Sequence, residues 1–229
     1  MRKLNEDAFL ERSDSGLWAV ADGMGGHHAG DVASRTTIVA LNEIAASRSG
    51  VHKDLDVFVG EVVDCLEKTN RQLVGMARQL SPEAVIGSTV VVMLAAEDQC
   101  AVVWSGDSRL YQYRDGILTQ LTRDHSLVNE MISSGRGSRE ELAESRISNV
   151  VTQALGAEAE LKAETIRFTA LKNDLYLLCS DGLTGEVNDV EICRLLAQNE
   201  FDDIPRVLID TALQRRAGDN VTVVIVRWV

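Results

Sequence analysis

Four short acidic fragments, far apart along the chain, carry residue types that suit a binuclear metal site: Asn5-Glu6-Asp7, Asp22-Gly23-Met24-Gly25-Gly26, Ser180-Asp181-Gly182 and Gly218-Asp219-Asn220. A carboxylate that only solvates a surface needs no glycine beside it, yet Asp22, Asp181 and Asp219 each adjoin one, and each bounds an apolar run. Glycine lets the backbone turn sharply and approach an ion closely. Hard dications such as Mg and Mn prefer oxygen ligands, and two ions sharing a bridging carboxylate clamp an in-line displacement at phosphorus. Phosphoester hydrolysis is the chemistry that such a set suits. Taken singly, each fragment has a plainer reading: an isolated Asp-Gly is usually a turn, and Glu6 and Asp7 alone would be an exposed strand entrance.

The elements that must position these residues are legible in the periodicity. The apolar run from Gly16 to Ala21 has strand length and is expected to deliver Asp22 into a glycine-rich turn, with a helix following over 29–47. Leu55, Phe58, Val59, Val62, Leu66, Leu73, Met76 and Leu80 recur at three- and four-residue steps, which predicts a second helix with one apolar stripe. Runs at 88–96, 100–105, 110–113 and 117–121 read as strands, and Asp115-Gly116 between the last two is a hairpin signal. Residues 122–155 turn polar and are expected to form a surface excursion. Strand signals return at 163–168, 175–180 and 221–228, with helices over 190–198 and 204–216. Grouped helices between runs of strands predict an α+β sandwich, with antiparallel sheets inside and helices outside.

The 229 residues suit one domain with a sizeable core. A formal net charge of -12 repels a phosphate backbone, which argues against nucleic-acid binding. The N-terminus lacks an apolar signal region and no apolar run is long enough to span a bilayer, so no membrane partner is expected. Cys65, Cys100, Cys179 and Cys193 show no CxxC spacing and read as reduced core thiols of a cytoplasmic protein.

In order along the chain stand Arg2-x-x-x-Glu6-Asp7, Asp22-Gly-Met-Gly-Gly, Gly87-Ser88-Thr89, Gly106-Asp107-Ser108-Arg109, Leu121-Thr122-Arg123-Asp124-His125-Ser126, Ala154-Leu155-Gly156, Ser180-Asp181-Gly182 and Gly218-Asp219-Asn220-Val221-Thr222. Through these eight anchors the chain strongly resembles the metal-dependent type 2C serine/threonine protein phosphatases in their compact bacterial form, over nearly its whole length. The resemblance implies a four-layer αββα sandwich of two antiparallel sheets flanked by helix pairs. It also implies one catalytic domain over 1–229, with a flap near the active site at about 122–155. The implied activity is hydrolysis of phosphoserine and phosphothreonine in proteins, by direct attack of a metal-bridging hydroxide and without a phosphoenzyme. Two or three Mn or Mg ions, phosphorylated protein substrates, an opposing bacterial serine/threonine kinase and a monomeric state belong to the same expectation.

Carried over position by position, the resemblance makes Asp22 the carboxylate bridging two ions, with the Gly23 carbonyl on the first and Asp181 and Asp219 on the second. Glu6 and Asp7 would act through metal-bound waters, Asp107 would join Asp181 on a third, weaker ion, and Arg2 would grip the substrate phosphate as a guanidinium fork. Met24 stands where animal members place a histidine regarded as the general acid. His27 is then the nearest candidate for that role, with a metal-bound water as the alternative. A catalytically silent metal-binding module of the same fold is the competing reading. Degenerate members lose metal aspartates, whereas Asp22, Asp181 and Asp219 are all kept here.

Two further features have plainer explanations. Cys65-Leu-Glu-Lys-Thr-Asn-Arg71 formally fits the C-x5-R loop of cysteine phosphatases, but it has no glycine and lies inside the strongly periodic helix. His125 reads as a structural residue at the flap entrance, and Trp18 and Trp104 as core.

Overall fold

The computed structural model describes residues 4–25, 29–47, 54–138, 141–142, 150–215 and 218–229. The chain opens with β1 (Asp7–Arg12), β2 (Leu17–Gly25), α1 (Ala29–Ser47) and α2 (Leu55–Leu80), and continues through β3 (Ile86–Ser88), β4 (Val90–Ala96) and β5 (Gln99–Ser105). Next come β6 (Arg109–Arg114), β7 (Ile117–Gln120), α3 (Leu127–Ser133), β8 (Glu164–Thr169) and β9 (Leu175–Cys179). The last part holds α4 (Asp181–Thr184), α5 (Asp189–Gln198), a 3₁₀ turn at Phe201–Asp203, α6 (Ile204–Gln214) and β10 (Val223–Arg227).

The uninterrupted apolar sequence of β4 follows from its position in the middle of four layers. Val90, Val92 and Leu94 pack with Leu41 of α1 and with Phe58, Val62, Leu66 and Leu73 of α2. The alternate residues Val91 and Met93 meet Leu110, Tyr176, Leu178, Val224 and Val226 of the other sheet. A strand covered on both faces has no place for a polar residue, so its period-two alternation is invisible in the sequence. The outer face of the second sheet carries Tyr111, Leu177 and Cys179, which close against Leu183, Ile192, Leu196, Ile204 and Leu208 of the C-terminal helices. Each large side chain so buried contributes about 1.5–3 kcal/mol of transfer free energy.

The first sheet has the order β1-β2-β4-β5-β8, with β3 paired to the far end of β2; the second has the order β10-β9-β6-β7. Every strand pairing is antiparallel. The expected α+β sandwich of two antiparallel sheets with helices outside is therefore the fold. The Asp115-Gly116 hairpin is also present, with φ of 51° and 81° at the two turn residues.

One expectation is corrected. Asp22 does not enter a turn, because β2 runs on to Gly25, where Gly23, Met24 and Gly25 pair with Ser88, Gly87 and Ile86 of β3. The glycines that suggested a turn serve close packing instead. Within α2 the side chain of Asp54 caps the helix by accepting from the N–H groups of Asp56 and Val57. Cys65 lies buried in the interior of that helix, and burial pushes its thiol pKa up, the opposite of what a nucleophile needs. Trp18 and Trp104 are core residues, as read.

Candidate metal centre

The carboxylates converge at one end of the sandwich, where both sheets terminate. Asp7 and Asp22 are direct partners on adjacent strands β1 and β2. Asp107 sits between β5 and β6, where the chain crosses from the first sheet to the second. Asp181 opens α4 immediately after β9, and Asp219 lies in the segment entering β10, the strand that pairs with β9. Residues from five separate stretches are thereby gathered by topology.

Electrostatics give the measure of that gathering. Burial first, and then the negative charges of Asp7, Asp181, Asp107 and Asp219, hold the Asp22 carboxyl well above the ordinary carboxylate range. Asp107 is pushed up to about 7 by burial and by the charges of Asp181 and Asp124, with Arg109 offsetting only a small part. Asp7 is raised by burial and by Asp219, against hydrogen bonds from Thr222 and Ser180 that lower it. Like charges crowded in this way disfavour ionisation unless a cation joins them. Among the described residues, no three His, Cys, Asp or Glu side chains are already drawn together as a closed ligand set.

Hydrogen bonds from neighbouring residues fix the positions of these acids. Asp7 Oδ2 accepts from Ser180 Oγ at 2.8 Å and from Thr222 Oγ1 at 2.7 Å, bonds that tie the first sheet to the second. Its Oδ1 is buried without a hydrogen-bond donor. The Asp22 backbone is clamped on both sides: its N–H donates to Thr89 Oγ1, and its carbonyl accepts from Thr89 N and Ser88 Oγ. Thr89 Oγ1 in turn meets Ser108 Oγ at 2.7 Å, which joins the Asp22 strand to the Asp107 loop. Glu6 is held through its backbone, donating to Asn220 Oδ1 and accepting from Gly23 N.

Glycine is required at two of these positions by space. A Cβ on Gly23 would stand 2.0 Å from the Gly30 carbonyl oxygen, and one on Gly182 would stand 1.9 Å from that of Asn220. Sequence reading missed Gly30 itself, whose Cβ would fall 2.6 Å from Glu6 Oε1. It also gave no role to Ser180, Thr222, Thr89 and Asn220, although each flanks or nearly flanks an acid in the quoted motifs; a hydroxyl or amide beside a buried carboxylate was the available signal.

Arg2 and His27 lie outside the described residues. His125 has the structural role expected of it: its Nδ1 accepts from Gly106 N at 3.1 Å, so its Nε2 carries the proton and donates to Glu164 Oε1 at 3.1 Å, while the ring stacks on Trp104. Arg215 donates to the Glu186 carbonyl and pairs with the Glu191 carboxylate.

The residues fit divalent ions on three counts. The donors are all oxygens, Asp7 Oδ1 is a buried acceptor without a donor, and like charges crowd the Asp22 carboxyl. The carboxylates Asp22, Asp107, Asp181 and Asp219 are each half-buried, so the cluster is open to ions from solvent.

Comparison with known proteins gives the same identity. The family model of protein phosphatase 2C matches residues 2–216. The serine/threonine phosphatase stp of Listeria monocytogenes is 31% identical over 232 residues, covering 99% of this chain and 91% of that one. Among solved structures, PppA, a key regulatory component of T6SS in Pseudomonas aeruginosa, superposes with a TM-score of 0.87 at 35% identity, covering 99% of this chain and 93% of that one. The catalytic domain of the serine/threonine protein phosphatase PstP, in complex with 2 manganese ions, superposes with a TM-score of 0.83 at 34% identity, covering 98% and 92%. The acidic cluster and these full-length likenesses agree, and the chain belongs to the protein phosphatase 2C family in its bacterial form.

Proposed function

We propose that the protein removes phosphate from phosphoserine and phosphothreonine of other proteins, using two or three Mn or Mg ions held by the acidic cluster. The observation that carries this reading is the crowding of Asp7, Asp22, Asp107, Asp181 and Asp219, where burial and like charge raise the carboxyls of Asp7, Asp22 and Asp107. In this reading Asp22 is the shared ligand, joined by the Gly23 carbonyl, Asp181 and Asp219. Glu6 and Asp7 hold the ions' waters, and Asp107 with Asp181 serves a further, weaker ion. When bound, the ions supply a lowered pKa for the attacking water and neutralise charge on the phosphoryl group. The chain's own residues do the rest. Ser180 and Thr222 keep Asp7 oriented, the Thr89–Ser108 pair fixes the spacing of the Asp22 and Asp107 backbones, and Asn220 holds the segment leading to Arg2.

Arg2 is read as the phosphate-binding residue and His27 as the candidate donor of a proton to the leaving alkoxide. Met24, which packs over Gly87, offers no proton for that step. The whole chain is read as a single catalytic domain with a flap at about 122–155, acting as a cytoplasmic monomer on proteins that a serine/threonine kinase has phosphorylated. Four cysteines without a disulfide, and the absence of any described helix long and apolar enough to cross a membrane, support that setting.

The test is phosphate release from a phosphothreonine peptide. Mn activates it, EDTA removes it reversibly, and Cys65→Ser leaves it unchanged; full activity in EDTA would overturn the metal reading. For Arg2→Ala the expected result is a KM raised about tenfold with a smaller fall in kcat, because a phosphate contact is made in both ground and transition states. An unchanged KM for the peptide would show that Arg2 does not reach the phosphate.

A further inference from the structure

A half-open cavity of about 760 Å³ lies at the opposite end of the sandwich from the acidic cluster. The register of β1 on β2 sets the separation: Asp7 faces Asp22 at one end of the pair and Arg12 faces Leu17 at the other, so five residue steps, or about 16 Å, lie between them. The cavity lining comes from the ends of β1, β2 and β4, from β10 and from the 3₁₀ turn. Its volume falls within the range of roughly 300–1,000 Å³ typical of small-molecule sites.

The lining combines aromatic walls with a carboxylate rim. Trp18, Val226 and Trp228 supply apolar surface, and Glu11, Asp14, Glu97 and Asp202 supply acid. Asp14 is already neutralised by the Arg12 fork at 2.9 and 3.0 Å. The cation in the lining, Arg227, lies 3.9 Å above the Phe201 ring. The exposed side chains of Glu11, Glu97 and Asp202 have no hydrogen-bond or ionic partner among the described residues. Glu97 also stands in the left-handed region at φ 57°, in the hairpin turn between β4 and β5. That φ is the one a two-residue hairpin turn demands, and it holds the Glu97 backbone at the rim.

We propose that this cavity is a second binding site, one that takes a small organic ammonium ion on an aromatic or apolar body. The body would lie against Trp18 and Trp228 and the charge would sit among Glu11, Glu97 and Asp202. An ammonium over an indole face gains about 0.5–2 kcal/mol, and unpaired carboxylates at the rim favour a cation over an isosteric alcohol and oppose an anion. The proposal does not depend on the phosphatase reading, because neither its residues nor its readout involve the acidic cluster.

The chain's three tryptophans make the test internal. Trp18 and Trp228 line the cavity, whereas Trp104 is 1% exposed and donates to the Arg123 carbonyl, so its indole N–H resonance is the control. Phenethylamine hydrochloride is titrated against the full chain, with phenethyl alcohol and phenylpropionate as neutral and anionic counterparts. The expected result is saturable movement of the Trp18 and Trp228 signals with Kd on the order of 1 mM, and Trp104 unmoved. The alcohol should bind about 5- to 10-fold more weakly, the energy of one cation–π contact, and the carboxylate more weakly still. Glu97→Gln combined with Asp202→Asn changes two exposed side chains and should abolish the preference for the amine while the folded spectrum is retained. No saturable shift up to ~10 mM, a weakness beyond the efficiency expected of so small a ligand, overturns the site. Equal affinity for amine and alcohol, equal movement of Trp104, or an undiminished amine preference in the double variant would each overturn the assignment of an ammonium ligand to these walls.

Discussion

Asp22→Asn lowers kcat for a phosphothreonine peptide by at least about 10³-fold at saturating Mn, corresponding to about 4 kcal/mol of lost transition-state stabilisation, while raising the melting temperature of the metal-free protein. The two effects have opposite signs because one carboxylate is placed for ions and not for the apo fold. Burial and the charges of Asp7, Asp181, Asp107 and Asp219 all act against its ionised form. Replacing it with an amide of the same shape removes both the like-charge repulsion and the cost of burying a carboxylate. For a chain of this size each kcal/mol moves the midpoint by about 2–4 °C. The strand itself is not disturbed, since its bonds to Thr89 and Ser88 run through the Asp22 backbone. In the parent protein, Mn at about a hundred times its Kd adds about 2.7 kcal/mol of stability; in the variant that gain disappears. Calorimetry in EDTA and in Mn, run beside the peptide assay, decides the matter: wild-type turnover, or a variant less stable than the parent in EDTA, contradicts the assignment.

The acids themselves were legible because their chemistry is local. An Asp beside a Gly at the margin of an apolar run is visible without knowing what it faces, and Asp22, Asp107, Asp181 and Asp219 all prove to interact. The strands were legible for a similar reason, since β4 and β5 are dense in β-branched and other apolar residues. What the sequence concealed is pairing between distant segments. The extension of β2 through Asp22 to Gly25 depends on β3, more than sixty residues downstream, and no local pattern announces Gly23 facing Ser88. The hydroxyls on Asp7 come from Ser180 and Thr222, whose sequence separations from it are 173 and 215. Gly30 reads as the start of a helix and shows its purpose only when the Gly23 carbonyl group is found 2.7 Å from where its Cβ would stand. The far-end cavity is likewise invisible, because its walls come from both ends of the chain, from the β4–β5 turn and from the turn before α6.

The framework around the acids has a consequence for their independence. Asp22 and Asp107 lie on loops and strands that touch through the Thr89–Ser108 bond, and the Asp107 loop is pinned separately by Gly106 N to His125 Nδ1 and by His125 N to the Gly106 carbonyl. These bonds exist without any contribution from the Asp107 carboxylate. Removing that carboxylate therefore changes charge and ligation while leaving the loop in place.

Asp107→Ala is accordingly expected to keep the fold and the two tighter ions, to lose about 10- to 100-fold of its turnover on phosphopeptides, and to need more Mn for the activity that remains. The lost factor corresponds to about 1.4–2.7 kcal/mol, the scale of one charge-stabilising contact in the transition state. An ion shared by Asp107 and Asp181 would keep most of its shell as water, so it binds weakly and is the first to leave on dilution. In the metal-free protein the Asp107 carboxyl is pushed up to about 7 by burial and by Asp181 and Asp124, so its removal costs no stability there. A melting temperature in EDTA at or above that of the parent is the structural control. Against that background a Mn titration of peptide turnover separates the roles: a shifted midpoint with reduced plateau places Asp107 on a weak ion, and a curve superimposable on the parent leaves it a turn residue with no ion to hold.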